Sequence, residues 1–333
     1  MAKRKKSKKS KKNSKILVYI AWTLALIALA LSALLIGYYI GYDSAQKKEL
    51  QNNKIEKLQH SQHTILKKSL QEKKSVKSRL KEVLKKETKS YTTASHEIDS
   101  EALVNPPKPI AIPKTRVNNL KPKLAIIIDD VSTRAQIKAI KSLHIPVTMS
   151  FLPPSAARPN SAKLASHEAF YMVHLPMEAM HFNKEEPYTM HVKDSQQTIL
   201  QRVAKIKEIF PKVAYINNHT GSKFTSSEVA MNRLIFAFNK NHIKFIDSRT
   251  TAQTKAPEVL KNYGQKYVAR DIFLDHHNDK TYIKQQIKKA IALAKRRGHI
   301  IAIGHPHKNT LEALYESKAL FKDVDLVLIK EIY

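Results

Sequence analysis

The stretch Leu124-Ala125-Ile126-Ile127-Ile128-Asp129-Asp130 is an unbroken apolar run that ends in two adjacent carboxylates. Short runs of this kind suit the strands of a parallel sheet, which are buried on both faces. Three more follow the same plan: Met172-Val173-His174, Ala214-Tyr215-Ile216-Asn217-Asn218-His219 and Ile300-Ile301-Ala302-Ile303-Gly304-His305. Each ends in ionisable or hydrogen-bonding side chains that a buried strand does not require. In α/β folds the carboxyl ends of parallel strands converge on one rim, and sites are built there. Further strand-like runs near 146–152, 243–247, 266–269 and 324–329 alternate with helical segments. Ser132/Thr133, Asp194/Ser195 and the capping-box spacing of Thr225 and Glu228 mark helix starts, and Gly298 marks a stop. This alternation argues an α/β fold with a parallel sheet, and seven or eight units permit closure into a barrel. A doubly wound open sheet satisfies the same pattern.

The strand-end residues carry the chemistry. Neighbours at a strand end point to opposite sides, so Asp129 and Asp130 can divide two tasks, one ligating a cation and one serving as a base. Acids ahead of Ser132-Thr133 also suit a helix N-terminus, which explains one of the pair but not both. His174 and Glu178 stand four apart around the break at Pro176, and both are ligands for divalent ions. His219 lies in the polar run Asn217 to Ser222, where turn chemistry accounts for the Asn and Gly residues but not for an imidazole. Arg249 follows Asp247 and Arg270 precedes Asp271; such pairs are either plain ion pairs or orient a catalytic group. His305 suits a general acid on the same rim. His276, His277 and His307 are close to it in the chain.

Charge and hydropathy organise the remainder. The chain has 333 residues, a net charge of +31 and no cysteine, which excludes disulfides, thiolate metal sites and a cysteine nucleophile. Residues 1–15 hold nine Lys/Arg and no acid, and residues 16–42 hold no charged side chain. The second segment is long enough to span a bilayer and has aromatics near its ends. It is expected to be an uncleaved signal anchor that crosses the cytoplasmic (inner) membrane once. The basic tail then stays in the cytoplasm and the bulk of the chain lies outside, in the periplasm. Residues 43–90 read as a charged helical stalk, a weak coiled coil through which the chain can self-associate, and 91–122 as a Pro-containing linker. Residues 123–333 form the catalytic domain. Its basic surface suits an anionic membrane face or an acidic polymer. No nucleic-acid module is visible in it, so nucleic acid is not an expected partner.

Read in order, Ile128-Asp129-Asp130, His174 to Glu178, Asn217 to Ser222, Asp247 to Thr250, Arg270 to Asp275 and Ile303 to Pro306 resemble the divergent polysaccharide deacetylase family. That family is a branch related to the NodB-homology deacetylases. The resemblance covers Leu124 to about Leu320. It implies a deformed seven-stranded (β/α) barrel and metal-dependent removal of N- or O-acetyl groups from a glycan such as peptidoglycan. In the wider superfamily the first Asp of the pair is the base and the second binds metal. Two His four residues apart complete the metal site, and a late His protonates the leaving group. This chain departs where Glu178 replaces the second His, and His219 is expected to supply the missing imidazole. Asn218-His219-Thr220-Gly221 also stands where an Arg-Pro-Tyr-Gly-like loop would be. The expectation is a divalent ion, Zn²⁺ or similar, held by Asp130, His174 and His219 with Glu178 as a further candidate. Asp129 is the base and His305 the acid, with Asp271 or Arg270 orienting them. Asn218, Ser222, Arg249 and Arg270 are the candidates for holding an acetylated glycan. A catalytically inactive glycan-binding or scaffold protein of the cell envelope is the alternative, and a stalk-driven assembly with the barrel as passenger is a third.

Overall fold

The computed structural model describes residues 121–182 and 185–333, together with helical positions between Tyr19 and Ser44. The expected basic tail, the stalk apart from Ser44, and the linker apart from its last two residues lie outside the described residues. The chain divides into two units, Met1–Lys73 and Lys74–Tyr333. In the first, the helix Trp22–Tyr39 has a mean hydropathy of 1.9 and is long and apolar enough to cross a membrane. A signal sequence meets the same criteria.

In the second unit, strands and helices alternate. The first half runs β1 (Lys123–Val131), α1 (Arg134–Lys141), β2 (Thr148–Phe151), α2 (Ser161–Ser166), β3 (Met172–Met177), α3 (Gln196–Ile209) and β4 (Tyr215–Thr220). Then come α4 (Ser222–Thr225), α5 (Glu228–Lys240), β5 (Lys244–Ile246), α6 (Ala256–Asn262) and β6 (Ile272–Phe273). The chain closes with α7 (Lys280–Arg297), β7 (His299–Gly304), α8 (Lys308–Glu316) and β8 (Asp325–Val327). The strands pair in the order β5-β4-β3-β2-β1-β7-β6, and all pairs are parallel. The two ends of that path meet at a single parallel bridge, Asp247 to Ala269, where Asp247 N donates to Val268 O and Arg270 N donates to Asp247 O. β8 pairs with the amino half of β1, beside the stretch of β1 that pairs with β2. The result is a curled parallel sheet flanked by helices, consistent with a (β/α) barrel.

Alternation along the strands sorts the core into two bodies. Leu124, Ile126 and Ile128 pack outward with Val173, Leu175, Ile216, Ile300 and Ala302 against the helices. Ala125 and Ile127 pack inward with Met172, Ile246, Ile301 and Ile303. Each of the Leu, Ile, Val and Met side chains among them, taken fully from water, contributes roughly 1.5–3 kcal/mol. The inward register continues past the apolar residues to Asp129, His174, Asn217, His219 and His305, so the pleat itself delivers these five to the carboxyl rim.

Local signals set the helix starts, with two departures from the sequence reading. Thr133 caps α1 in a capping box with Gln136, and Ser195 caps α3. α5, however, is capped by Ser227, while the Thr225 hydroxyl donates to Gly221 O, so the box read from Thr225 does not form. The run 266–269 makes only the closing bridge, and pairing with β7 falls to Ile272–Phe273. Between them Arg270 turns back to donate to the carbonyls of Ser248 and Arg249, tying two loops together instead of extending a strand.

Gly221, at φ +94°, begins α4, and a Cβ there would lie 2.8 Å from Met177 Cβ. The left-handed backbone penalty of roughly 1–2 kcal/mol adds to an overpacking cost of about 1–3 kcal/mol. Gly221→Ala is therefore expected to lower stability by about 2–5 kcal/mol, read from urea unfolding. An unchanged midpoint would show that this turn is not under the constraint described.

Candidate active site

The site begins where β1 breaks its regularity. Its pairing with β2 shifts register between Ile128 and Val131, and Asp130 takes a left-handed φ of +55°. A bulge of this kind re-aims a side chain. Asp130, which simple alternation would send outward, turns to the same side as Asp129. The expectation that the two carboxylates face opposite ways is corrected here: both face the rim.

Asp130 Oδ1 lies 3.1 Å from His219 Nδ1 and 3.6 Å from His174 Nε2, and Asp129 Oδ2 lies 3.6 Å from the same His174 nitrogen. The two imidazoles meet edge to face with centroids 5.0 Å apart. One ligand atom from each of Asp130, His174 and His219 falls within 4.8 Å of the others. The decisive observation is that Asp130 Oδ1, His174 Nδ1 and both ring nitrogens of His219 are buried without a hydrogen-bond partner. The 3.1 Å contact between Asp130 and His219 is close but is not aligned as a hydrogen bond. Buried polar atoms are rarely left unpaired, because each costs about 1–3 kcal/mol. Asp130 Oδ1 and the His219 ring, left in this condition opposite His174 Nε2, could hold a divalent cation. Burial and the neighbouring His219 hold His174 well below the usual imidazole range, which keeps it neutral, the form that ligates. Burial alone would raise Asp130, but His219, His305 and His174 outweigh it and hold the carboxyl well below its ordinary value.

Asp129 is held differently. Asn217 Nδ2 faces both its oxygens at 3.0 and 2.9 Å, and Ser150 Oγ donates to Asn217 Oδ1 at 2.6 Å. Burial pushes Asp129 up to about 7, with His305 and the Asn217 amide opposing the rise. Across the rim, His305 Nδ1 meets Asp275 Oδ1 at 3.0 Å, while His305 N and Thr310 Oγ1 donate to Asp275 Oδ2, each at 2.6 Å. Burial would lower His305, yet Asp275, Asp130 and Asp129 raise it to about 9. Asp275 with His305 and His307 also has its ligand atoms close together. There, however, the carboxylate is already engaged by three partners, so it orients His305 and is not left waiting for an ion.

Several expected residues lie elsewhere. Glu178 pairs with Lys223 at 2.6 Å and accepts from Val192 N, binding the loop after β3 to α4, and it is not in the cation group. Asp271 pairs with Arg297 and accepts from Ile301 N at the amino end of β7, the end away from His305. Asn218 falls on the outward register and holds Thr220 O, Thr250 and Ser248 N. Ser222 Oγ accepts from Met180 N. Arg249 donates to Arg270 O, and Arg270 lies over the Phe273 ring, its guanidinium carbon 5.2 Å from the centroid. These four side chains hold loops together. The sequence reading missed Asn217 as the clamp on Asp129 and Asp275 as the partner of His305. The first was recoverable, since Asn217 and His219 are two apart on one strand and share a face. No local signal separates Asp275 from Asp271. Beside His219 lies a shallow dent, lined by Met177, Ala179, Phe182, Glu186 and Thr189.

Fold and rim together define a class: parallel α/β proteins with a two-imidazole, one-carboxylate group and a separate His–Asp pair at the carboxyl ends of the strands. The sequence profile of divergent polysaccharide deacetylases matches residues 126–333, and the chain belongs to that family. It is 33% identical over 208 residues to an uncharacterized protein of Haemophilus influenzae, covering 62% of this chain and 74% of that one. It is also 33% identical over 199 residues to the uncharacterized protein YibQ of Escherichia coli, covering 58% of this chain and 61% of YibQ. The crystal structure of an uncharacterized protein from Agrobacterium tumefaciens has a similar fold. Its TM-score is 0.58 at 17% identity, over 66% of this chain and 92% of that one.

The His305–Asp275 pair makes a pH-dependent prediction for metal-stripped protein. A group whose folded pKa is raised contributes stability that is complete below its unfolded pKa, about 6.5 for His, and is lost as pH rises through the folded value. For His305 that value is about 9. Stability to urea should therefore fall through this window, and Asp275→Asn should flatten the fall. Equal slopes in the two proteins would contradict the pairing.

Proposed function

We propose that this chain is a metal-dependent hydrolase that removes acetyl groups from a cell-envelope polysaccharide, peptidoglycan among the candidates. The reading rests above all on the unpaired Asp130 Oδ1 and His219 ring nitrogens standing opposite His174 Nε2 and beside Asp129, in a chain of a deacetylase family. The curled sheet is then a deformed seven-stranded barrel with β8 added at its side. Residues 16–42 anchor the chain in the cytoplasmic membrane. The basic residues before them stay inside, so the domain acts outside, held off by the segment 43–122, through which copies can associate.

Asp130, His174 and His219 would hold the cation, with zinc favoured by the donor set. Bound there, it would lower the pKa of water toward about 7 and polarise an acyl carbonyl. Asp129, clamped by Asn217 and with its pKa lifted toward neutrality, takes the proton of the attacking water. His305, protonated and oriented by Asp275, gives a proton to the departing amine or alcohol. The same two groups would be poorly suited to exchanged roles, because their environments push their pKa values in the directions that acid and base require.

Metal analysis with acetate release from acetylated glycan tests this reading. Asp130→Ala or His219→Ala should empty the site of zinc, while Glu178→Ala should retain it. Asp129→Asn should keep the metal and lower turnover by about 10²–10⁴. Zinc retained by Asp130→Ala, or full activity in Asp129→Asn, would overturn the assignment. Glycan binding without turnover would leave a sugar-binding module in its place.

A further inference from the structure

An acid that gives up its proton must recover it before the next cycle, and His305 is almost fully buried at 1% exposure. Its Nδ1 faces Asp275, so a fresh proton has to reach the other side of the ring. His307 is the half-buried imidazole next to it, with ring centroids 5.7 Å apart and planes tilted by 35°. Pro306 separates the two residues.

The local structure around His307 is unusual for its position. It is the N-cap of α8, with the extended backbone that a cap requires, but its side chain makes no capping hydrogen bond. Ser, Thr, Asp and Asn are favoured at such positions because they bond the free amides of the first turn, and losing that bond costs about 0.5–2 kcal/mol. The ring leans toward His305 instead. A residue that breaks a local rule without a structural gain is a reason to look for function.

We infer that His307 is a relay residue that returns protons from solvent to His305 between turnovers. The inference rests on the proposed role of His305 as the acid. The steps balance simply. His305 loses the proton on Nε2 to the leaving group and becomes neutral, keeping Nδ1–H toward Asp275. His307, protonated by water, passes its ring proton to Nε2 directly or through one bridging water and returns to neutral. The direction is downhill. Burial lowers His307, and the positive end of α8 acts the same way, while Asp275, Asp130 and Asp129 raise His305. Protonated His307 is thus the stronger acid of the two. His276 and His277 meet edge to face, His277 also meets Tyr282, and His276 meets Phe273, so His307 is the imidazole placed directly beside His305.

The test uses the full chain in detergent with ¹⁵N-labelled histidine. The His305 signals are assigned by their loss in His305→Gln. Exchange of the His305 ring proton with water should slow by at least about tenfold in His307→Ala and in His307→Gln, and added imidazole should restore it. His277→Ala should leave it unchanged. Unaltered exchange in both His307 variants, slowing that imidazole does not relieve, or equal slowing in His277→Ala would overturn the relay. Acetate release provides an independent arm, in which His307→Ala should lower kcat at constant KM and imidazole should rescue it. Absence of acetate release from the wild-type chain would count against the hydrolase reading alone, because proton exchange still decides the relay.

Discussion

The left-handed turn at Asp130 is the constraint on which the site depends. A regular strand would present one carboxylate to the rim and lose the other among the helices. The register shift at the end of β1 turns Asp130 inward, so two carboxylates from consecutive residues face the same space. A non-glycine residue at positive φ carries a backbone penalty, and Asp is among the side chains that bear it most readily. Inside the curl, Ile127, Ile303 and their neighbours close the space beneath the site, and β1 lies between β2 and β7. The strain therefore sits on the best-supported strand of the sheet.

Once both carboxylates face the same space, their partners separate them. Asp130 is surrounded by imidazoles and remains an anion, while Asp129 is buried against an amide and titrates near neutrality. The imidazoles divide in the same way. His174 is kept neutral by burial and by His219, while His305 is kept protonated by Asp275. Four groups of two chemical types thereby differ in protonation, and the differences come from what each touches. Shifts of this size in a rim cluster are characteristic of functional sites.

Much of this was legible in the sequence, and the limits have physical causes. The apolar runs ending in Asp129, His174, His219 and His305 revealed both the parallel sheet and the rim, because buried strands and strand-end chemistry leave a pattern in the chain. The bulge left none: alternation predicts opposite faces for Asp129 and Asp130, and only the register with β2 shows otherwise. Glu178 and Asp271 were attractive because they carry charge near strands, yet Lys223 and Arg297, distant in sequence, claim them. Asn217 and Asn218 are alike as residue types, and only the pleat of β4 turns Asn217 toward Asp129. The short sixth strand was misplaced because Arg270 interrupts the run that resembles it.

The most direct measurement is an anomalous-difference map at the zinc edge from zinc-loaded crystals of the chain. The account predicts one peak bonded to Asp130, His174 and His219 at distances of about 2.0–2.2 Å, with Asp129 and Asp275 outside the coordination sphere. A peak bonded instead to Asp275, His305 and His307, or to neither group, would contradict it.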